Sequence, residues 1–281
     1  MRNLSSVALC CVDTRTPALA LKAMQRCMQE LQFGDAILFA HPEETLLTQA
    51  NALRVRIVDP GTMNSIEAYS RFMLQGLAPH LNLDFMLIVQ WDGFVLNPEC
   101  WSDDFFRYDY IGAVWPERFS RYKVGNGGFS LRSRKLLQAL TSADIKVTHP
   151  EDLSICDVNR ELLENRYHVR FAPSEIAARF AYEHVRSDTA TFGFHGVFNL
   201  ADALTPSEML DLTKSIRKDM VFSAGMRALA KRLISGGQYE SAQRILMERI
   251  RQGDRRWRIV SLLIRLTVRR WFGTPPDRLK K

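Results

Sequence analysis

The sequence predicts an α/β protein: a three-layer sandwich around a mostly parallel sheet, followed by a helical, basic C-terminal region. Two observations in the first half of the chain predict the sandwich. Apolar segments of strand length alternate with segments of helical periodicity. The segment 84–90 is apolar between its ends, as in a strand that is covered on both faces. Beyond about residue 202 only helical patterns remain, so we predict two regions, 1–202 and 203–281.

Each element is predicted from its local pattern. The first helix begins at Thr16 and Pro17, because Thr is a good cap and Pro suits the first turn. Gly34 is expected to end that helix, near residue 32. Further helices are predicted at 65–80, 133–140 and 148–165. The strands are predicted at 6–12, 36–40, 55–58, 84–90, 108–114, 129–131 and 168–171.

Size and composition indicate a globular protein. The 281 residues, 46% hydrophobic and 25% charged, suffice for one α/β domain with an appendage. The five cysteines are odd in number and show no Cys-x-x-Cys spacing, so we expect reduced thiols and no zinc site. The first apolar run is too short for a signal peptide, and no uncharged apolar run of about 18 residues occurs. We therefore expect a cytoplasmic location and no transmembrane helix.

Charge is unevenly distributed along the chain. Residues 214–281 hold 18 Lys and Arg against 5 Asp and Glu, a net charge of +13. The other 213 residues carry −6, within a total of +7. A mildly acidic globular part is thus followed by a strongly basic tail, which indicates an anionic partner for the tail, either membrane lipid or nucleic acid.

Two acids follow predicted strands, Asp13 after the first and Asp92 after 84–90. Ligands of a mostly parallel sheet bind outside the carboxyl ends of the strands. Asp92 is therefore a candidate ligand for a diphosphate-bound metal, because carboxylate oxygens suit Mg²⁺ and Mn²⁺. The alternative is an aspartate that merely forms a turn with Gly93, and the pattern leaves both open.

A glycine-rich turn, Gly125-Asn126-Gly127-Gly128, leads into a short predicted strand that contains Ser130 and Arg132. Glycine has no Cβ, so such a turn lets the backbone approach a ligand closely. Its spacing differs from a Rossmann fingerprint. Together with Asp92, the turn indicates a sugar-nucleotide site in which glycines support the sugar and an arginine pairs with phosphate. The alternative is an ordinary turn after a loop.

The segment His149-Pro150-Glu151-Asp152 carries two acids at the start of a predicted helix. Asp152 is a candidate general base, since a helix start at a sheet edge can place it against an acceptor hydroxyl. The alternative is structural. Thr148 and Glu151 form a capping-box pattern, and acids suit the first turn of a helix. Spacing alone favours the structural alternative.

In this order, these segments resemble a bacterial and fungal domain family, formerly of unknown function, that is described as glycosyltransferases of the GT-A fold. The resemblance covers roughly residues 4–199, and 109–133 is its most specific part. The matching segments are 90–93, 108–113 with Trp115, 125–134, 151–152 and 192–195. The resemblance implies a GT-A-like Rossmann-type fold, a nucleotide-sugar donor (UDP-sugar favoured), a divalent metal, and transfer to a hydroxyl of a glycan or lipid-linked acceptor.

The resemblance also implies roles for individual residues. Asp92 matches the last acid of a metal-binding Asp-x-Asp motif, and His195 matches a late histidine that completes the metal site, although a lone histidine is more often structural. Asp152 matches the base of inverting enzymes, with Glu151 beside it. Gln90 replaces the first acid of the motif, so Mn²⁺ or Mg²⁺ would rely on one carboxylate and the Gln90 carbonyl, or the site needs no metal. The expected donor-binding residues are Asp13, Thr14, Gln90, Trp91, Gly127, Gly128 and Arg132.

Two other classes of function stay open at this point. One is a non-catalytic protein of the same fold that binds a sugar nucleotide or a glycan, which donor turnover would distinguish. The other is a nucleic-acid-binding protein that uses the basic tail. The tail's aromatic residues lie beside aliphatic ones on a predicted helix, and not on a surface where bases stack. We therefore expect no specific nucleic-acid partner.

Residues 255–272 predict a basic amphipathic helix. One face is predicted to hold Trp257, Val260, Ile264, Val268 and Trp271. The basic side is predicted to hold Arg255, Arg258, Arg265 and Arg269, interrupted by Ile259, Leu262 and Leu266. Such a helix suits the surface of an anionic bilayer, which would make the protein peripheral at the inner face of a membrane. The alternative is that the tryptophan face packs on the globular part.

Overall fold

The computed structural model describes residues 1–254 and 256–272, with the side chain of Phe272 excepted. The chain divides into two compact units, of which the first is Met1–His195 and the second begins at Gly196. The division lies a few residues before the predicted boundary at 202/203. Arg255, which was assigned to the basic side of the last helix, lies outside the described residues.

The first unit opens with alternating strands and helices. They are β1 (Arg2–Val12), α1 (Pro17–Met28), β2 (Leu31–Phe39), α2 (Glu44–Ala52), β3 (Arg56–Val58), α3 (Ile66–Arg71) and β4 (Phe85–Val89). The following elements are β5 (Tyr110–Ile111), β6 (Ala113–Val114), β7 (Val124–Gly125), β8 (Ser130–Ser133), α4 (Arg134–Ala139), α5 (Glu151–Leu153), α6 (Arg160–Tyr167), α7 (Ser174–Phe180), β9 (Ala181–Tyr182) and β10 (Gly193–Phe194). The predicted α/β class is confirmed.

The central sheet has six strands in the order β3-β2-β1-β4-β8-β5. β1 pairs in parallel with both β2 and β4, and β2 pairs in parallel with β3. Only β8 runs against its neighbours, since it pairs antiparallel with β4 and β5. The predicted mostly parallel sheet is thus confirmed. The chain winds from β1 outward through β2 and β3 and then returns to the other side of β1, so the winding direction reverses between β1 and β4.

Both faces of the central strands are covered, which accounts for their apolar sequences. Along β1, Leu9 and Cys11 face one side of the sheet and Ala8 and Cys10 face the other, because side chains alternate along a strand, and all four are buried. The Ala8 and Cys10 side contributes to a core cluster with residues of β2, β4 and α4. This double burial fixes the strands rigidly, so the residues that follow them are held at defined places along one edge of the sheet.

Several boundaries differ from the predicted ones. α1 ends at Met28, and Gly34 lies within β2 instead of ending the helix. The predicted helix 65–80 is divided into α3, a π-helical turn and a 3₁₀ turn. The predicted strand 108–114 breaks at Gly112, after which β6 leaves the sheet and pairs with β7. The predicted strand 168–171 is wrong: His168 ends α6 in a left-handed conformation, and Phe171 makes only an isolated bridge to Tyr110.

In the described part of the second unit, every regular element is helical. The α-helices are α8 (Leu200–Ala203), α9 (Pro206–Ser215), α10 (Ala224–Ser235), α11 (Tyr239–Arg251) and α12 (Trp257–Phe272). A capping box of Thr205 and Glu208 begins α9. A buried ion pair joins Arg249 of α11 to Asp254, with Arg249 Nη2 2.7 Å from Asp254 Oδ2. Arg249 also donates to the Val221 carbonyl, which connects α11 to the turn before α10.

Candidate active site

The candidate site lies where the winding of the sheet reverses. Asp13 follows β1 and Gln90 to Asp92 follow β4, and these two strands are parallel neighbours. In open α/β sheets, a crevice forms outside the carboxyl ends of the strands on either side of such a reversal, and ligands bind there. The sheet order therefore brings together two segments that are distant in sequence.

Asp92 occupies a tight turn at the end of β4. The turn is closed by two backbone hydrogen bonds, from Gln90 N to Gly93 O at 2.9 Å and from Gly93 N to Gln90 O at 3.0 Å. The turn presents Asp92 and Gln90 to the same histidine. His195 Nε2 lies 3.6 Å from Asp92 Oδ1 and 3.0 Å from Gln90 Oε1. The turn predicted for Asp92 is therefore confirmed, while its role as a metal ligand stays a prediction, with His195 as the neighbouring candidate ligand.

His195 is oriented by a second carboxylate. β9 and β10 are parallel and pair Tyr182 with Phe194, so Glu183 and His195 follow the two strands side by side. His195 Nδ1 lies 3.1 Å from Glu183 Oε1, and the His195 backbone N–H donates to the Tyr182 carbonyl at 2.9 Å. With Nδ1 bound to Glu183, the other ring nitrogen points toward Asp92 and Gln90. A carboxylate behind a histidine is the arrangement that orients histidines in metal sites.

The electrostatics of this group favour positive charge at its centre. Burial alone would lower the pKa of His195, but the carboxylates of Asp92 and Glu183 outweigh burial and raise that pKa well above its usual range. Burial would raise the pKa of Glu183, but the hydrogen bond with His195 and the nearby imidazole charge lower it. The two carboxylates thus favour either an imidazolium or a cation held between Asp92 and His195.

The residues around His195 form at most a partial site for a divalent cation. Among the described residues, no group of three or more His, Cys, Asp or Glu side chains is placed to hold a metal. Asp92 and His195 supply one carboxylate and one imidazole, and the amide oxygen of Gln90 is a third candidate ligand near His195. Mg²⁺ is commonly held by one or two carboxylates together with substrate phosphates, so a partial protein site is compatible with such an ion.

Gly127 and Gly128 pack against two different side chains of the site, Glu151 and His195. A Cβ on Gly128 would lie 2.2 Å from His195 Nε2, and a Cβ on Gly127 would lie 1.9 Å from Glu151 Oε1. A side chain at either position would therefore force Glu151 or His195 to move from its present place. The close approach of the backbone to a ligand stays a prediction, and in this structure the glycines pack against protein side chains. Through this pair, His195 and Glu151 are held against consecutive residues of the chain.

Asn126 offers a buried donor beside the same glycines. Its Oδ1 accepts hydrogen bonds from Gly128 N at 3.0 Å and from Phe129 N at 3.3 Å, which shapes the turn around its positive φ of 75°. The residue is 2% exposed, and its Nδ2 makes no hydrogen bond of good geometry within the described chain. The amide does contribute to the lowered pKa of Glu183, so it lies beside that carboxylate. A ligand oxygen is a suitable acceptor for it.

Arg132 is placed differently from its prediction as a phosphate ligand. Its side chain is fully buried and lies 3.6 Å from the Glu151 carboxylate. The guanidinium also donates to Ser130 Oγ at 3.1 Å and to the Met73 carbonyl at 3.3 Å, and it lies 5.9 Å from the centre of the Tyr110 ring. Its N–H groups bond to acceptors inside the protein, so Arg132 stabilises the buried side of the site and holds Glu151 in place.

The capping-box alternative for the segment 148–152 is wrong. Pro150 is the cap of α5 and makes no side-chain capping bond, while Glu151 is buried against Arg132. Burial raises the pKa of Glu151, the Asp152 charge adds to this effect, and Arg132 opposes it. Asp152 is only partly buried, and its Oδ1 accepts one hydrogen bond, from the Leu153 backbone at 2.9 Å. Asp152 therefore keeps oxygen lone pairs for a ligand, whereas Glu151 is committed to Arg132.

The remaining predicted donor ligands lie at the ends of β1 and β4. The Asp13 carboxylate accepts hydrogen bonds from Arg15 N, Thr16 N and Thr16 Oγ1, at 2.8, 2.7 and 2.7 Å. Asp13 thus shapes the turn into α1, which competes with its predicted contact to a nucleotide. Thr14 and Trp91 are partly buried, one in each of the two segments, and stay candidates for donor contacts.

The sequence analysis missed three residues of the site: Tyr69, Asn126 and Glu183. The Tyr69 hydroxyl accepts from Gln90 Nε2 at 2.8 Å, which fixes the amide so that its oxygen faces His195. Tyr69 carried no signal, because it was one of several apolar residues at helical spacing. Glu183 could have been found only by predicting β9 and β10, which have two residues each.

Comparison with protein-family models finds one match. Residues 52–195 match the family described as "Protein of unknown function (DUF5672)", and this segment is more than half of the chain. The chain belongs to this family. The matched segment ends at His195, where the first unit also ends, and it contains Asp92, Asp152 and Glu183. It begins after Asp13, so the first strand and its predicted nucleotide contacts lie outside the DUF5672 match.

Solved structures of glycosyltransferases are distantly similar. The mannosyltransferase PcManGT from Pyrobaculum calidifontis, in complex with GDP-Man and Mn²⁺, is 10% identical; the match covers 96% of this chain and 88% of that chain, with a TM-score of 0.41. The apo form of the glycosyltransferase GlyE from Streptococcus pneumoniae is 12% identical over 67% of this chain and 53% of its own, with a TM-score of 0.42. TarS residues 1–349 from S. aureus are 12% identical over 95% and 80%, with a TM-score of 0.36.

Such distant similarities assign no substrate or reaction to this chain. A comparison with curated proteins finds no match. Among the described residues, no helix is both long enough and apolar enough to cross a membrane.

Proposed function

We propose that this chain is a glycosyltransferase of the GT-A type. It would transfer a sugar from a nucleotide-sugar donor, a UDP-sugar favoured, to a hydroxyl of a glycan or lipid-linked acceptor, with inversion at the anomeric carbon. The observation that carries the proposal is the convergence of two groups on one pair of glycines. Gly128 packs against His195, which faces Asp92 and Gln90, and Gly127 packs against Glu151, which precedes Asp152.

The first group suits the diphosphate of the donor. Asp92, Gln90 and His195 would hold a divalent cation, which would neutralise the charge that develops on the leaving nucleoside diphosphate. Glu183 would keep the His195 ring in place through Nδ1, at 3.1 Å. Asn126 Nδ2, which is buried beside Glu183, would donate a hydrogen bond to an oxygen of the nucleotide sugar. The crevice beside β1 would take the nucleoside, with Asp13, Thr14 and Trp91 as candidate contacts.

The second group suits the acceptor. Asp152 has the exposure and the lone pairs that a general base needs, since only the Leu153 backbone donates to its carboxylate. The acceptor oxygen would form the new bond to the anomeric carbon as the bond to the diphosphate breaks, and the hydroxyl proton would pass to Asp152. Glu151 would not exchange protons, because it is buried against Arg132. Its part would be to fix the backbone from which Asp152 projects.

We further propose that the enzyme is cytoplasmic, and a lipid-linked acceptor would place it at the inner face of a membrane. The proposal is tested by incubating the purified full chain with a panel of nucleotide sugars, with and without Mn²⁺, and measuring released nucleoside diphosphate. Turnover of at least one donor is expected. Donor binding without turnover under any condition would instead indicate a non-catalytic sugar-nucleotide-binding protein.

A further inference from the structure

The last helix, α12, has one packed apolar face. Ile259 and Leu266 are 1% and 4% exposed. They are separated by seven residues, which is two helical turns, so they lie on the same side of the helix. This side contacts α10 and α11. These two residues were predicted to interrupt the basic side of an amphipathic helix, and the structure shows that they form its contact with the rest of the second unit.

A second apolar face of α12 lies open to solvent. Trp257 is 74% exposed, Ile264 60% and Trp271 80%, and Val260 and Val268 are also exposed. Their spacings of three and four residues place all five along one stripe. Within the second unit, the tryptophan face is thus separate from the face that packs on α10 and α11. An exposed stripe with a tryptophan near each end and aliphatic residues between is unusual for a helix that is already packed on its other side.

A row of arginines borders this stripe. Arg258, Arg265 and Arg269 are seven and four residues apart and therefore share one flank of the helix. Long arginine side chains can reach sideways to an anionic surface while the apolar stripe is buried. Residues 214–281 carry a net charge of +13, so the charge around α12 has the same sign as this row.

These features point to one occupant. We propose that α12 docks in the plane of an anionic lipid bilayer, with the stripe from Trp257 to Trp271 among the lipid headgroups and upper acyl chains and the arginine row at the phosphates. A second copy of this chain would bring two surfaces of the same strong charge together, which is unfavourable. A nucleic acid would leave the aliphatic residues between the tryptophans without an apolar partner. This inference does not depend on the proposed glycosyltransferase activity.

The test uses the full chain and vesicles of phosphatidylcholine, with or without phosphatidylglycerol. Co-sedimentation is expected with the anionic vesicles only and is expected to weaken as salt is raised. Two double variants test the two parts of the surface separately. Trp257→Ala/Trp271→Ala tests the apolar stripe, and Arg258→Gln/Arg265→Gln tests the row of arginines. Each is expected to weaken binding at least about tenfold. The control is Ile66→Ala, which removes an apolar side chain of α3 that is 60% exposed, as Ile264 of the stripe is.

Both double variants alter exposed or partly buried side chains, so melting temperatures near that of the unmodified chain are expected. Full binding by the tryptophan variant would overturn the proposal, as would equal binding to neutral vesicles. Dimerisation that the tryptophan variant abolishes, without vesicle binding by the unmodified chain, would assign the stripe to a second copy. Salt-sensitive binding to DNA and RNA alike, with no binding to vesicles, would likewise exclude a lipid surface.

Discussion

Glu183 Oε1 lies 3.1 Å from His195 Nδ1, on the side of the imidazole opposite Asp92 and Gln90. This contact decides which nitrogen of His195 faces the crevice. It exists because β9 and β10 are in register, so that the residues following them are neighbours. The candidate metal site therefore depends on a carboxylate that does not itself face the ion.

The variant Glu183→Gln tests this dependence. The amide keeps the size of the side chain but removes the charge that holds the ring, so Mn²⁺ affinity is expected to fall about 10- to 100-fold. Calorimetry or the electron paramagnetic resonance signal of free Mn²⁺ measures the affinity. Glu30→Gln, an exposed acid far from the site in sequence, is the control and should bind as the unmodified chain does. Unchanged affinity in Glu183→Gln would remove Glu183 from the site.

Gly128→Ala adds a methyl group that would clash with His195, since the added Cβ would be only 2.2 Å from His195 Nε2. The ring must move from its present position, and misplacement of a reacting group by about 1 Å costs on the order of 10²-fold in rate. Nucleoside diphosphate release at saturating donor measures the loss. Gly236→Ala serves as the control, because its Cβ would come no closer than 3.4 Å to any atom. Normal turnover in Gly128→Ala would show that the His195 position does not matter.

Asp152→Asn removes the proposed proton acceptor and retains the hydrogen bond from Leu153 N, which the asparagine oxygen can accept. Turnover is expected to fall about 10²- to 10⁴-fold, with donor affinity unchanged. Asp157→Asn alters another partly buried acid of the same segment and should keep full turnover. Equal activity in the two variants would assign the base to another residue.

Arg132→Met breaks a buried ion pair, since Arg132 and Glu151 are 0% and 9% exposed at their side chains. Leaving one buried charge without its partner typically costs about 3–5 kcal/mol of unfolding free energy. Urea unfolding measures the cost. Adding Glu151→Gln removes the orphaned charge, so the double variant should be less unstable than the sum of the single variants. A donor affinity that falls in Arg132→Met while stability is unchanged would restore Arg132 as a phosphate ligand.

Stability of the second unit should depend on pH through Asp254. Hydrogen bonds from Arg256 and Arg249 hold the pKa of Asp254 below its ordinary value of 3.8. A carboxylate with a lowered pKa in the folded state contributes stability above its unfolded pKa and loses this contribution as pH falls. The gap in unfolding free energy between the unmodified chain and Asp254→Asn should therefore be full at neutral pH and shrink below 3.8. A gap that stays constant into acid would contradict this assignment.

The sequence predicted what depends on local patterns. The strand before Asp92 and the turn after it follow from an apolar run that ends in polar residues. Contacts between distant segments were not predictable in this way. Arg132 was expected at a phosphate because arginine pairs well with phosphate, yet it is buried and contacts Ser130, Met73 and Glu151, which come from three separate segments. Glu183 was missed for the same reason.

The periodicity of the tail was predicted correctly, but its environment was not. Trp257 and Trp271 do share a face, and the structure leaves that face exposed. Ile259 and Leu266 seemed to interrupt the basic side, because a helical wheel does not show which neighbours a helix has. They are the residues that pack on α10 and α11. Tertiary contacts thus explain a pattern that was irregular for a free helix.

The most direct test of the central claim is nucleoside diphosphate release from a panel of nucleotide sugars by the unmodified chain and by Asp92→Asn, each with Mn²⁺ and with a chelator. We expect the unmodified chain to turn over at least one donor in Mn²⁺ only, and Asp92→Asn to be inactive in both conditions with its melting temperature retained. A folded, unmodified chain that releases no nucleotide from any donor, or an Asp92→Asn variant as active as the unmodified chain, would contradict the claim.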